Sequence, residues 1–281
     1  FLAGNIDIFN PSTVDHISQI RQAVQQGRLD ATIKVNASPV ASSQFMVFNW
    51  NKASDPFKQS LFRSDKFRRA MSHLVNRQAV IDIVYGGLGT PMYSSVYPVL
   101  TQWINPKVPK YEYDPKQAAK LLAELGFTKN DREGYLVDSK GRRIEFNLAT
   151  NAGNTQREQI AKLIVDEAKK VGVKVNFQAI DFNTLVGQLL SSGPDRPCDA
   201  IIIGLTGGGL DWPFGSNVVP CKGNLHMWNK SGQCLDPRET LMEKLYYQGR
   251  TELDVKKRVE IGYRMQKDEA ELLPVIYITG P

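Results

Sequence analysis

The sequence predicts an α/β protein with a mixed β-sheet flanked by helices, and three features of one stretch carry that prediction. Between Ile144 and Gly209 the chain alternates strand, helix, strand, helix, strand. The last strand, DAIIIGL, is a continuous apolar run, as expected of a parallel strand covered on both faces. A glycine cluster, GLTGGGLDW, follows at its carboxyl end, and ligands of open α/β sheets sit beyond such ends.

From the amino end, NIDIF reads as a short apolar strand. Val14, Ile17, Ile20 and Val24 recur at helical spacing, and Gly27 ends the pattern. DATIKVNA and QFMVFNWNK alternate as two strands about a serine-rich turn, ASPVASS. Ser64 to Gly86 holds two helices, with Phe67, Ala70, Met71 and Leu74 on one apolar face and Val80, Ile81 and Val84 on the next. YSSVYPVLTQWINPKVPKYEYDP is too apolar for disorder and reads as an ordered loop on the domain surface. Asp114 as cap, Pro115 at the first position, a stripe of Leu121, Leu122 and Leu125, and Gly126 as stop define the next helix.

YLVDSKGRRIEFNL reads as a hairpin turning at Ser139, Lys140 and Gly141. Within the central unit, IEFNLAT is the first strand, and Thr155 with Glu158 has capping-box spacing. Ile160, Leu163, Ile164, Ala168 and Val171 face the core, and Gly172 stops the helix. VKVNFQAI is the second strand, and Asp181 caps a short helix carrying Leu185, Val186, Leu189 and Leu190. Pro213 to Asp236 is mostly loop, followed by helices over Pro237–Gln248 and Asp254–Leu272 and a strand over Val275–Ile278.

The 281 residues, 42% hydrophobic and 23% charged, suffice for one large domain or two modest ones. No apolar run reaches the length of a membrane span. FLAGNIDIFNP has neither the basic start nor the apolar core of a secretory signal; beginning without methionine and ending just after the apolar run VIYITGP, the sequence is expected to be a fragment or mature segment. The net charge is +6 and the pI near 9.1. Basic residues are scattered, as in Lys66, Arg68 and Arg69, Lys169 and Lys170, and Lys256, Lys257 and Arg258. They read as solvated helix faces, without the single stripe and interleaved aromatics of a nucleic-acid binder, so no nucleic acid is expected.

Catalytic signatures are missing: there is no G-x-S-x-G, no H-E-x-x-H, and no Lys-Ser or Lys-Thr after Gly207 to Gly209. His16, His73 and His226 lie in unrelated segments. No cofactor is expected. Cys221 and Cys234 share one loop-rich stretch, which leaves open a disulfide, free thiols, or a zinc site with His226 that lacks a clear fourth ligand. The glycine cluster is either a tight turn or a place where a ligand approaches the backbone closely, and its position favours the ligand.

Several stretches, in order, resemble the peptide-binding proteins of ABC importers, of the dipeptide and oligopeptide type. LFRSDKFRRAMSHLVNRQAVIDIVYGGLGTP resembles their paired-helix segment, and YDPKQAAKLLAELGF their D-x-x-x-A-x-x-L-L helix. TQREQIAKLIVDEAKKVGVKVNFQAIDFNTLVGQLL, DAIIIGLTGG and KRVEIGYRMQKDEAELLPVIYI match later elements, while NIDIF resembles a segment crossing between lobes. The resemblance implies a non-enzymatic receptor, periplasmic or extracellular and open to anchoring through another part of its precursor, that passes its ligand to a membrane permease. It also implies a type II periplasmic-binding-protein-like fold, with residues 1–281 as the carboxyl-side lobe and the amino-side lobe missing.

The family's G-W-x-x-D motif falls on Gly204, Leu205, Thr206, Gly207 and Gly208, where Leu205 replaces the tryptophan and Gly208 the acid. Asp211 can serve as the acid instead; otherwise the ligand is not held by its amino end. Some family members with a more glycine-rich motif bind oligosaccharides, and on that alternative Trp212, Trp228 or Trp50 would stack on sugar faces. The family's carboxylate-binding arginine has no counterpart in NLATNAGN, where Asn151 and Asn154 can give neutral hydrogen bonds. The expected ligand is a peptide, with an oligosaccharide as the alternative and a hydrolase of unrecognised site as the rival class.

Overall fold

A computed structural model describes residues 1–11, 14–34, 41–207 and 217–280. Helix α1 (Val14–Gln25) forms where its apolar spacing predicts, and strand β1 (Ser42–Phe48) follows. Two expected strands are not formed among the described residues. Residues 5–9 are irregular, with Ile8 84% exposed, and no strand among the described residues pairs with them. Residues 30–34 are irregular too, and the rest of DATIKVNA lies outside the described residues.

Helix α2 (Pro56–Arg63) was not expected, although it starts as securely as any here: Asp55 accepts from the Lys58 N–H, and proline opens the first turn. Helices α3 (Asp65–His73) and α4 (Arg77–Val84) are the anticipated pair, capped by the Ser64 and Asn76 side chains. Arg68 departs from the solvated-face expectation. It is fully buried and donates to the Phe62, Leu272 and Leu273 carbonyls, so that it ties distant chain ends together.

After the short strand β2 (Thr90–Pro91), the proline-rich segment is an ordered loop with one 3₁₀ turn, Thr101–Trp103. It is built into the protein more deeply than a surface loop, with Val96, Leu100 and Trp103 buried. Helix α5 (Pro115–Glu124) has the predicted cap, Asp114 accepting from Gln117, and Gly126 exits at φ +95°. Strands β3 (Lys129–Asn130) and β4 (Leu136–Val137) pair with each other. The expected hairpin shrinks to a tight turn, with Asp138 accepting from the Lys140 and Arg142 N–H groups, and one bridge from Val137 to Arg143.

The central unit is as predicted: β5 (Glu145–Asn151), α6 (Thr155–Lys170), β6 (Lys174–Ile180), α7 (Phe182–Leu190) and β7 (Ala200–Thr206). One detail differs. The cap of α6 is Asn154, which accepts from the Arg157 N–H, while Glu158 reaches back to the Gly153 N–H. Helices α8 (Pro237–Thr251) and α9 (Val255–Leu272) then lead to β8 (Val275–Gly280).

Among the described residues the main sheet has six strands in the order β2-β8-β1-β7-β5-β6. It is mixed: β5 is parallel to β6 and β7, while β1 is antiparallel to β7 and β8. Under it, Phe48 has its ring 5.1 Å from Phe67 and 5.2 Å from Phe62 and Phe146, the spacing at which aromatic edges meet faces. Cys221 and Cys234 form a disulfide, Cα atoms 5.3 Å apart. His226 is no zinc ligand: it bonds Glu239 Oε1 at 3.0 Å and the Val218 carbonyl. Cys198 is free and buried.

Candidate functional site

The chain runs from β5 outward to β6 and then returns past β5 to β7 on its other side. The connections reverse between β5 and β7, so this is a topological switch point, where a crevice opens beyond the carboxyl ends of the strands. Pairing of β5 with β7 is confined to Leu148 with Ala200 and Ala149 with Ile201. Beyond it, the buried Thr150 hydroxyl donates to the Ile202 carbonyl at 2.9 Å. Ile203 to Thr206 remain paired with β1 but have no ladder partner on the β5 side among the described residues.

Arg157, in the first turn of α6, braces this crevice. Its Nε donates to Gln44 Oε1 on β1 at 3.0 Å, and its Nη1 to Asn151 Oδ1 on β5 at 2.8 Å. Both acceptors are neutral. Burial lowers the pKa of Arg157, and the nearby Tyr85 acts in the opposite direction. Tyr85 is itself 7% exposed, and its hydroxyl has no hydrogen-bond partner among the described residues. Burial pushes its pKa up to about 12, against the pull of Arg157, so it is a neutral phenol at physiological pH.

The predicted site residues divide between this edge and elsewhere. Gly204 lies at the crevice, yet a Cβ there would stand 2.5 Å from the Ser43 carbonyl oxygen and 2.8 Å from Gln44 Nε2. Its bare Cα therefore makes room for β1 and for the Gln44 side chain reaching Arg157, not for a ligand. Leu205 is half-buried against the core; Thr206 and Gly207 are exposed. The Gly207 N–H is already committed to the Ala41 carbonyl at 2.9 Å, which leaves its own carbonyl for other contacts. Asn151 and Asn154 are half-buried beside the crevice, with their oxygens engaged by Arg157. Gly208, Asp211 and Trp212 lie outside the described residues.

The tryptophan expectation is corrected for two of its three residues. Trp50 and Trp228 are 2% and 1% exposed, with no face for a sugar. Trp50 follows the carboxyl end of β1, and β1 is antiparallel to β7, so it sits at the opposite edge of the sheet. There the Arg68 guanidinium lies 4.5 Å over its ring, and Trp228 Nε1 donates to Glu239 at 2.6 Å.

Arg157, Gln44 and Tyr85 were not anticipated. Arg157 did carry a signal: a cation in the first turn of a helix opposes the macrodipole, which favours acids there. Gln44 had none, because it lies 113 residues away in sequence.

Residues 1–221 match the model of the bacterial extracellular solute-binding proteins, family 5 Middle. The chain is 49% identical over 289 residues to a Deinococcus radiodurans protein named probable ABC transporter-binding protein, covering 100% of this chain and 48% of that one. It is 31% identical over 205 residues to the oligopeptide-binding protein AppA of Bacillus subtilis, covering 72% of this chain and 34% of that protein.

The solved structure of AppA from Bacillus subtilis with a nonapeptide superposes at a TM-score of 0.77 with 24% identity, over 100% of this chain and 51% of that one. MelB of Agrobacterium fabrum with stachyose gives 0.80 with 20% identity, over 99% and 43%. The chain thus spans about half the length, or less, of the proteins it matches. Its mixed sheet with flanking helices is that of the type II periplasmic-binding-protein fold. The chain belongs to family 5 of the bacterial extracellular solute-binding proteins.

Proposed function

We propose that this chain is the ligand-capturing part of the solute-binding protein of an ABC importer, and that its ligand is a peptide. The observation that carries this reading is the crevice at the switch point. Among the described residues one side of β7 from Ile203 to Thr206 has no ladder partner there, next to hydrogen-bonding side chains. An extended peptide matches such an edge, since its backbone can pair with the strand while its side chains vary. The relative named as oligopeptide-binding supports the same choice.

In this reading residues 1–281 are the carboxyl-side lobe. The contact set is Thr206, the Gly207 carbonyl and Asn151, together with Gly208, Asp211 and Trp212, which follow in the sequence. An amino-side lobe closes over the ligand by hinge motion, and a membrane permease receives it. The protein works outside the cytoplasm, periplasmic or extracellular. The disulfide supports an oxidising compartment, and among the described residues no helix is long and apolar enough to cross a membrane. Binding involves no covalent step.

The test is calorimetric titration of the chain with pentaalanine and with mannohexaose, followed by mass spectrometry of the recovered ligand. Saturable peptide binding with the peptide returned intact is the expected outcome. Cleaved peptide would make the protein a hydrolase, and saturation by mannohexaose alone would replace the peptide with a sugar.

A further inference from the structure

The side chain of Glu243 is aimed at the disulfide. Glu239 and Glu243 stand four residues apart on α8, so both project from one helix face toward the loop of residues 217–236. Glu239 is taken up by His226, Trp228 and the Leu235 and Asp236 N–H groups. Glu243 instead meets the two cysteines: its Oε1 accepts from the Cys221 N–H at 2.9 Å, and its Oε2 lies 3.8 Å from Cys234 Sγ. One ligand atom from each of Cys221, Cys234 and Glu243 falls within 4.8 Å of the other two. Among the described residues no lysine, arginine or histidine forms an ion pair with Glu243. Cys221 is buried, while Cys234 and Glu243 are half-buried, so one side of the group is open to water.

In the oxidised protein the sulfurs are bonded to each other and are not free to hold a metal. A dithiol reductant changes that. It gives two electrons and two protons to the S–S bond, which breaks into two thiols, and it closes into a disulfide of its own. We propose that the reduced pair and Glu243 then form a zinc site, so that a metal ion and the disulfide are alternative clasps for the same loop. Zn²⁺ displaces both thiol protons and is held by two thiolates and one carboxylate oxygen, with water in the fourth position. Zn–S bonds of about 2.3 Å and a Zn–O bond of about 2.1 Å place the ligand atoms of a tetrahedral site roughly 3.6–3.8 Å apart. Glu243 Oε2 and Cys234 Sγ already have that spacing. The adjustment needed is a parting of the two sulfurs, whose Cα atoms stand 5.3 Å apart. His226 takes no part, because both its ring nitrogens are engaged, by Glu239 and the Val218 carbonyl. The site is independent of which ligand the protein captures.

For the test, the full chain is reduced with dithiothreitol, desalted without oxygen, and titrated with Co²⁺ and then Zn²⁺. Thiolate-to-cobalt absorption reports sulfur ligation. One equivalent of cobalt with that absorption, displaced by zinc, is expected from the reduced chain and none from the oxidised chain. Cys198→Ser, which removes the remaining thiol, should leave the titration unchanged. Glu243→Gln is expected to weaken zinc binding at least about tenfold, and Glu243→Asp to retain part of it. Cobalt bound without thiolate absorption, or equally by the oxidised chain, overturns the site. Unchanged zinc affinity in Glu243→Gln overturns it too, since the carboxylate would then only hold the Cys221 N–H.

A second measurement covers a reduced chain that loses its fold. Zinc should raise the melting temperature of the reduced chain, or restore its fold, while leaving the oxidised chain unchanged, because the energy of binding at such a site is folding energy. It should also slow the alkylation of Cys221 and Cys234 by iodoacetamide, read residue by residue by mass spectrometry. Alkylation at the same rate with and without zinc would refute the proposal whether or not the chain stays folded.

Discussion

Gly204 shows how a single residue can be dictated by a neighbour's side chain. Its register partner is Gln44, whose amide crosses the Gly204 Cα to meet Arg157. The nearest obstacle to a Cβ is the Ser43 backbone carbonyl at 2.5 Å. Backbone in a paired strand yields less readily than a flexible side-chain end, so Gly204→Ala should separate β1 from β7 locally. The expected cost is about 2 kcal/mol, in the range of other overpacking substitutions. Urea denaturation of the variant would measure it, and an unchanged midpoint would show that the strands absorb the methyl group. Gly204 therefore serves the site indirectly, by letting a distant glutamine aim an arginine.

The segment from residue 217 to residue 236 contains no helix or strand, so cross-links and side chains must hold it. The Cys221–Cys234 disulfide closes a loop of sequence separation 13. Glu239, buried in α8, accepts from His226, Trp228 and the Asp236 N–H. In the chain-entropy account a cross-link of that span contributes about 3 kcal/mol. Reduction with dithiothreitol, or Cys221→Ser with Cys234→Ser, should lower the unfolding free energy by about that much. A loss under about 1 kcal/mol would mean that the Glu239 contacts alone constrain the loop.

Legibility in the sequence followed the range of the interactions involved. Helices with a cap and an apolar stripe, such as α5 and α7, could be read because every determinant lies within a few residues. Asp55–Pro56 announces α2 by the same logic as Asp114–Pro115. DATIKVNA alternates like a strand, yet its described part is irregular, since alternation does not supply a partner. The β5–α6–β6–α7–β7 unit, and with it the crevice, was legible. The direction of β1 was not, which is why Trp50 was expected near the ligand but lies at the far edge. Gln44 and Tyr85 join Arg157 only through tertiary contacts.

Across the whole molecule, β1 begins and β8 ends at the edge where β5 and β7 present their carboxyl ends, because β8 and β7 both run antiparallel to β1. That edge holds Arg157, Asn151, Thr206 and Gly207, the last two exposed. Ligand sites of tight binders enclose about 70–90% of the ligand surface, and one sheet edge can cover only one side of an extended peptide. If the chain captures a peptide as proposed, most of the burial must come from a second covering surface, which the proteins of about twice this length have the chain to supply. The chain alone should therefore bind pentaalanine at least about a hundredfold more weakly than a form extended to the length of those relatives, a difference of about 2.7 kcal/mol. Parallel calorimetric titrations of the two forms would measure the ratio, and scattering of the longer form should show a smaller radius of gyration with ligand than without. Equal affinities would mean that the edge encloses its ligand unaided, and the two-lobed clamp would have to be abandoned.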